Sequence, residues 1–144
     1  MIILEDEQAT EALGRALAAQ LGAGDAVALF GTLGAGKTTL ARGVLRGLGF
    51  VGDVASPTFP IVQVYDTEPP LWHVDLYRIE RAQELDEIGL DDARHDAALL
   101  IEWPERLPHL WADTLRLSLA IRPDGARALT AEVPPAWGGR WPPR

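Results

Sequence analysis

The 144-residue sequence contains no cysteine and no asparagine. Without cysteine the chain can form no disulfide, ligate no iron–sulfur cluster through thiolates and use no thiol nucleophile. This composition fits a reducing compartment, so we expect a cytoplasmic protein. The length suits one domain with a substantial hydrophobic core, and it leaves no room for a second catalytic domain.

Long apolar runs and an excess of basic residues are also missing. No stretch approaches the length of a membrane span, and the N-terminus lacks the basic and apolar regions of a signal peptide. The chain carries 13 basic and 21 acidic residues, for a net charge of −8, and its arginines are scattered. Because such a charge repels nucleic acid, we expect another subunit to hold any RNA, and we expect no membrane contact.

What the sequence does contain is a complete phosphate-binding motif. Residues 31–38 read Gly-Thr-Leu-Gly-Ala-Gly-Lys-Thr, which fits the pattern G-x-x-x-x-G-K-[ST] at every fixed position. The apolar residues 25–30 before it predict a buried strand, and residues 37–48 after it have helical spacing. In this setting backbone N–H groups turn toward phosphate oxygens at a helix N-terminus. Lys37 is expected to hold the β- and γ-phosphates, and Thr38 to bind Mg²⁺.

The other patterns predict an α/β domain. They indicate a helix over residues 7–21, a hairpin of strands 59–66 and 71–75, a helix over 81–88, an apolar strand over 97–101 and a terminal hairpin of strands 114–121 and 127–133. We therefore expect residues 1–133 to form a single three-layer P-loop NTPase domain, with a mostly parallel central sheet extended by antiparallel hairpins. Residues 134–144, rich in Pro, Trp and Gly, are expected to form a mobile tail, although Trp137 and Trp141 could pack back or dock on a partner.

Two acidic residues stand where a phosphate loop needs a carboxylate to hold Mg²⁺ or its waters, namely at the ends of apolar strands. Asp75 ends the strand at 71–75, and Glu102 follows the strand at 97–101. Each could be an ordinary surface carboxylate, but beside a phosphate loop both are predicted to be functional. Thr58, in a proline-marked segment, is expected to reach the γ-phosphate and Mg²⁺ as a switch residue, with a plain turn residue as the alternative.

The lack of asparagine bears on the nucleotide base. Guanine specificity ordinarily comes with an Asn-Lys-x-Asp element, so we expect an adenine nucleotide. Two other functions share the same motif. A small kinase would use Asp75 as the base that takes a proton from a metabolite, and a nucleotide-sensing subunit would bind ATP without hydrolysing it.

The three histidines, His73, His95 and His109, are too far apart in the sequence to indicate a metal site. His73 is expected to pack on a strand face, and the other two to lie on the surface or in loops. No G-x-S-x-G sequence or other nucleophile arrangement occurs. The chemistry is therefore expected to centre on the phosphate loop.

Several short segments follow one another in a specific order. They are residues 31–39, Ser56-Pro57-Thr58-Phe59, His73-Val74-Asp75-Leu76-Tyr77-Arg78, Leu85-Asp86-Glu87-Ile88-Gly89 and Glu102-Trp103-Pro104. In this order and spacing they closely resemble the TsaE family, small bacterial P-loop ATPases formerly called YjeE. The resemblance extends from about residue 7 to the turn at 124–125.

The resemblance implies binding of ATP and its slow hydrolysis to ADP in the synthesis of N6-threonylcarbamoyladenosine at position 37 of tRNA. It implies work with the TsaD and TsaB subunits, with tRNA contacted only through them. Thr38 and Glu102 are then expected to hold Mg²⁺, and Asp75 to lie at the γ-phosphate. The catalytic residues implied are Lys37, Thr58, Asp75 and Glu102. The nucleotide contacts implied are Glu7, Leu33, Gly34, Ala35, Gly36, Lys37, Thr38, Thr39, Asp75, Trp103 and Gly125.

The second position of the loop departs from the family pattern. The family's loop usually reads Gly-Asp-Leu-Gly-Ala-Gly-Lys-Thr, whereas this chain has Thr32 in place of the aspartate. A carboxylate facing the γ-phosphate side is missing here, so any role in positioning water does not carry over to this residue. Asp75 could suffice for that role.

Overall fold

The computed structural model describes residues 1–54 and 61–143, and in these residues seven strands form one mixed sheet. The strands are β1 (Ile2–Leu4), β2 (Ala26–Phe30), β3 (Val62–Tyr65), β4 (Leu71–Asp75), β5 (Ala98–Glu102), β6 (Leu115–Ile121) and β7 (Arg127–Glu132). Their order across the sheet is β1-β7-β6-β2-β5-β4-β3. The helices are α1 (Glu7–Ala18), α2 (Lys37–Gly47), α3 (Ala82–Ile88) and α4 (Leu90–Ala93). None of these described helices has the length and apolar character needed to cross a membrane.

The four inner strands of the sheet, β6, β2, β5 and β4, run parallel to one another. Antiparallel pairing then extends the sheet, through β7 and β1 at one edge and β3 at the other. The predicted parallel centre and its antiparallel hairpins are therefore confirmed. The centre is apolar because β2 and β5 are covered on both faces, and a parallel sheet buried in this way needs apolar side chains in both directions.

Two apolar clusters lie on opposite faces of the sheet. Along β5 the side chains alternate between them, because successive residues of a strand point to opposite faces. Ala98 and Leu100 pack in the cluster that contains α1 and α2 residues, whereas Leu99 and Ile101 pack in the cluster that contains Leu90 of α4. Helices therefore cover both faces, and the three-layer prediction is confirmed.

Helices α1 and α2 cross at a distance that only glycine allows. A β-carbon built on Gly43 would lie 2.2 Å from the carbonyl oxygen of Glu11, and one on Gly14 would lie 2.4 Å from that of Leu40. Heavy atoms this close overlap, so any side chain at these positions would push the helices apart. The close crossing matters for the site, because the N-termini of both helices line the cavity described below.

We expect Gly43→Ala to lower the free energy of unfolding by about 3 kcal/mol, because overpacking against backbone cannot be relieved by a rotamer change. The matched control is Gly22→Ala, where the nearest heavy atom to the new β-carbon is Asp25 Oδ2 at 3.8 Å. Urea unfolding of both variants measures the difference. Equal stability of the two variants would contradict the close helix crossing.

The element boundaries differ from the predicted ones in several places. Helix α1 ends at Ala18 rather than at residue 21. Beyond that end, the backbone N–H groups of Gln20 and Leu21 donate to the carbonyls of Leu17 and Ala18, three residues earlier in each case. Strand β1 and helix α4 were not predicted, because three and four residues are too few for a periodic pattern. The strand predicted over 59–66 is observed at Val62–Tyr65, and the predicted switch residue Thr58 lies outside the described residues.

The C-terminal segment packs against the domain, which differs from the mobile tail expected from its composition. Trp137, in a single 3₁₀ turn at Pro135–Trp137, is fully buried in the cluster on the α1–α2 face. The Arg140 guanidinium stacks 3.9 Å from the centre of the Trp137 ring and pairs with the Asp25 carboxylate at 2.7 Å. It also donates to the carbonyl of Gln20. These contacts join the tail to residues more than a hundred positions earlier in the chain.

Candidate functional site

The phosphate-binding motif forms a tight turn between β2 and α2. Gly34 and Gly36 have φ angles of 79° and 106°, in the left-handed region where a β-carbon is disfavoured. Gly36 is the residue that precedes the first turn of α2. The predicted arrangement of strand, glycine-rich loop and helix N-terminus is therefore present. A helix N-terminus of this kind offers backbone N–H groups and partial positive charge to an anion.

A cavity of about 550 Å³ opens beside this loop. Most of the residues predicted to contact the nucleotide or Mg²⁺ line this cavity. They come from the phosphate loop, from the ends of β4 and β5, from the start of α1 and from the turn between β6 and β7. The predicted residues that line it are Glu7, Leu33, Gly34, Gly36, Lys37, Thr38, Thr39, Asp75, Glu102, Trp103 and Gly125. Ala35 is fully buried and does not line it. Residues that sequence reasoning missed also line it: Leu4, Glu5, Asp6, Thr10 and Arg127.

The two carboxylates lie side by side because their strands are neighbours. β4 and β5 pair in parallel with Asp75 opposite Glu102, so both side chains leave the same face at the carboxyl end of the sheet. Both are largely buried. Oδ1 of Asp75 accepts a hydrogen bond from the backbone N–H of Tyr77 at 3.0 Å, which fixes the carboxylate in the turn after β4. The ends of these two neighbouring strands therefore bring both groups into the cavity beside the phosphate loop, where the strand-end positions predicted them.

His73 contacts Glu102 directly. Its Nε2 lies 2.6 Å from Oε2 of Glu102, and the ring has no exposed surface. The predicted packing on a strand face is correct for the ring, but the contact with the carboxylate was missed. Period-two alternation along β4, which puts His73 on the same face as Asp75, was the available signal. A short hydrogen bond between a buried imidazole and a buried carboxylate restricts the orientation of both groups, so we interpret His73 as a support for Glu102.

Lys37 is a buried cation that faces the cavity. Lys37 is the only lysine in the sequence, and 4% of its surface is exposed to solvent. Nζ has no hydrogen-bond partner among the described residues and lies 3.9 Å from the centre of the Trp103 ring. Burial lowers the pKa of Lys37 from 10.5, while the charges of Glu102 and Asp75 act to raise it. An anion in the cavity would supply the hydrogen bonds that this ammonium group lacks.

Trp103 takes an unusual backbone conformation to reach Lys37. Its φ and ψ angles are 58° and 49°, in the left-handed region that a bulky residue rarely occupies. The ring also packs against Tyr77, with 4.8 Å between the ring centres. These two contacts hold the indole against the cavity that it lines. An indole in this position is able to report on a bound molecule through its fluorescence.

The residues present suit a phosphate-bound magnesium ion. Among residues 1–54 and 61–143 no group of three or more His, Cys, Asp or Glu side chains forms a metal site. Magnesium bound with phosphates needs fewer protein ligands, commonly one or two oxygens, because phosphate and water complete the octahedron. The Thr38 hydroxyl and the Glu102 carboxylate line the same cavity and are ligands of this kind.

A strand–loop–helix phosphate site with carboxylates at the ends of adjoining parallel strands defines the P-loop NTPase fold class. The family model of threonylcarbamoyl adenosine biosynthesis protein TsaE matches residues 4–129, and the chain belongs to this family. This agrees with the resemblance seen in the sequence.

Individual relatives agree with this assignment. A tRNA threonylcarbamoyladenosine biosynthesis protein TsaE of Streptomyces coelicolor is 47% identical over 112 residues, which are 74% of this chain and 76% of that protein. The corresponding protein of a Nostoc species is 36% identical over 140 residues, 93% of this chain and 85% of that protein. This chain superposes on the crystal structure of Bacillus subtilis YdiB with a TM-score of 0.74 and 32% sequence identity. The superposition covers 90% of this chain and 82% of that one.

Proposed function

We propose that this protein binds ATP with Mg²⁺ and hydrolyses it to ADP and phosphate, in the synthesis of N6-threonylcarbamoyladenosine at position 37 of tRNA. The observation that carries the proposal is Lys37, a buried ammonium group without a hydrogen-bond partner among the described residues, which lies at the end of the phosphate loop and lines the same cavity as Asp75 and Glu102. Family membership supports the pathway, and the residues that line the cavity support the reaction.

Each residue takes a separate part in this proposal. Lys37 and the loop amides bind the phosphates, and the hydroxyl of Thr38 and the carboxylate of Glu102 hold Mg²⁺. The bound ion would neutralise charge that develops on the phosphate oxygens. His73 holds Glu102 in place, and Asp75 orients the attacking water and accepts its proton.

We propose that the protein works with TsaD and TsaB subunits, which hold the tRNA. The net charge of −8 supports this division, because it disfavours direct binding of RNA. ATP binding and hydrolysis would then shift the population between two conformations that the partners distinguish, which resets the complex. Turnover by the protein alone is expected to be slow, and a partner would complete the site.

Glutamine in place of Glu102 tests the proposal. We expect TsaD and TsaB from the same source to stimulate ATP hydrolysis by the wild-type protein, and Glu102→Gln to lower the stimulated rate by about 10²-fold, because the amide is a weaker magnesium ligand. Glu132→Gln, at an exposed position on β7, is the matched control. Hydrolysis is measured as phosphate release.

The alternative functions give different results in the same assay. A nucleotide sensor would bind ATP tightly and form the complex without any hydrolysis. A metabolite kinase would form ADP only when its acceptor is added. Wild-type hydrolysis that Glu102→Gln leaves unchanged would remove Glu102 from the magnesium site.

A further inference from the structure

Arg127, which lines the cavity, hydrogen-bonds to three backbone carbonyls. The residue begins β7, and its guanidinium donates from Nε to the carbonyl of Ala35 at 3.1 Å and from Nη2 to that of Gly34 at 3.0 Å. Its Nη1 donates to the carbonyl of Gly125 at 2.6 Å. One planar side chain thereby joins two successive peptide groups of the phosphate loop to the turn between β6 and β7.

Because each peptide group is rigid, the contacts of Arg127 with two carbonyls also fix the directions of the N–H groups in the same peptides. In a trans peptide the C=O and the following N–H point in opposite directions. Holding the carbonyls of Gly34 and Ala35 toward Arg127 therefore turns the N–H groups of Ala35 and Gly36 away from it. The N–H of Ala35 donates within the loop to the carbonyl of Thr32 at 3.1 Å, which fixes the turn that precedes Gly36.

Glycine makes such a constraint necessary. Gly34 and Gly36 have no β-carbon to limit their backbone angles, so the peptide groups between them can rotate at low cost. A phosphate loop binds well only when its amides already point at the phosphates, since ordering them on binding reduces affinity. A guanidinium with its donors in a fixed plane is suited to hold two carbonyls at once, whereas an ammonium group is not.

We propose that Arg127 is a positioning residue for the nucleotide. By orienting the peptide groups of Gly34 and Ala35, it keeps the N–H of Ala35 in the loop turn and holds the N–H of Gly36 in position for phosphate. This inference rests on the proposed ATP-binding function. Arg127 acts through the loop, since its three hydrogen-bond acceptors among the described residues are all backbone carbonyls. It also makes the loop depend on the terminal hairpin, because the same guanidinium holds Gly125.

Nucleotide affinity tests this role. We expect Arg127→Ala to raise the dissociation constants of both MgATP and MgADP by about tenfold or more, because it removes two charge-assisted hydrogen bonds from the loop. Arg127→Lys should lose most of the same affinity, because it keeps the charge but not the planar fork. The control is Arg116→Ala, which removes an equal charge from the neighbouring strand β6, away from the cavity.

Two further measurements separate positioning from a general loss of structure. Arg127→Ala leaves unchanged the residues proposed to carry out hydrolysis. In this variant KM for ATP should therefore rise by about tenfold, while kcat at saturating ATP stays within about twofold of the wild-type value. In the nucleotide-free protein, the ¹H–¹⁵N signals of Ala35 and Gly36 should shift in Arg127→Ala and Arg127→Lys but not in Arg116→Ala.

The outcomes distinguish this inference from the proposed function. Wild-type affinity in Arg127→Lys would show that charge alone matters, and unchanged amide signals in Arg127→Ala would show that the loop does not depend on this residue. Either result overturns the inference while the ATPase proposal stands. A wild-type protein that binds no MgATP would overturn the proposed function, and the amide signals would still decide whether Arg127 orients the loop.

Discussion

Replacing Lys37 with methionine is expected to weaken MgATP binding by about a hundredfold or more. Truncating one partner of a buried charge pair costs roughly 2–5 kcal/mol, and each 1.4 kcal/mol is a factor of about ten. Lys37 is nearly buried and has no hydrogen-bond partner among the described residues, so a bound phosphate would gain the full strength of this ammonium group. Methionine is unbranched and has nearly the volume of lysine, but it carries no charge. Titration calorimetry measures the affinity.

The control for this variant is Arg42→Met. Arg42 is on the same helix and lies 4.0 Å from the Glu11 carboxylate, so its replacement removes one positive charge from α2 and leaves the cavity unchanged. Lys37 is also the only lysine in the sequence, so amine-reactive labelling reports on it and on the N-terminus alone. MgATP should protect Lys37 from labelling. Tight binding by Lys37→Met, or no protection in the wild type, would place the phosphates elsewhere.

The same variant is expected to be more stable than the wild type when no nucleotide is bound. Burial lowers the pKa of Lys37 below 10.5, so the charged side chain costs free energy in the folded protein. Because the unfolded chain then holds this proton more firmly, wild-type stability should rise with pH between the lowered pKa and 10.5. Lys37→Met should lack this rise. Urea unfolding of both proteins from neutral pH upward measures it.

The opposite effects on binding and stability follow from one cause. A cation that is buried without hydrogen bonds destabilises the empty protein, and the same lack of partners leaves it ready for phosphate. A purely structural lysine would behave differently, because its removal would lower stability and leave nucleotide affinity intact. Measuring both quantities in one variant therefore separates a binding role from a structural one.

Features encoded in short stretches of sequence were predicted well. Residues 31–38 form a phosphate loop because the glycines and the flanking periodicities act locally, and the strand before it is apolar because both of its faces are covered. Asp75 and Glu102 were placed correctly for a similar reason. The carboxyl ends of neighbouring parallel strands meet at one edge of a sheet, so their positions follow from strand order.

Features that depend on distant pairs of residues were not predicted. Arg127 reaches the carbonyl of Ala35, 92 positions away, and nothing near either residue in the sequence encodes that contact. His73 on β4 contacts Glu102 on the neighbouring strand β5, 29 positions later in the sequence. Trp137 is buried in a segment whose composition indicates disorder, and Arg140 ties that segment to Asp25. Local patterns give the elements, but these contacts arise only when the sheet is assembled.

The second large effect is expected from Asp75→Asn, which should retain MgATP binding and lower hydrolysis at saturating ATP by about 10²–10⁴-fold. The carboxylate lies beside Glu102 in the cavity, and in the proposed mechanism it accepts a proton from the attacking water. Asparagine keeps an oxygen that can accept the hydrogen bond from Tyr77, so the turn after β4 should hold. The control is Asp66→Asn, at an exposed position that directly follows β3.

The Asp75→Asn variant also separates the three functions that the sequence leaves open. In the presence of TsaD, TsaB and tRNA, an ATPase-driven cycle should stall, because the variant binds ATP but does not convert it to ADP. A nucleotide sensor would support tRNA modification as well as the wild type does, since ATP binding alone carries its signal. A metabolite kinase would lose ADP formation only in the presence of its acceptor. Modification of tRNA at the wild-type rate by a variant that no longer hydrolyses ATP would therefore contradict the proposed cycle, even if Lys37 and Glu102 behave as expected.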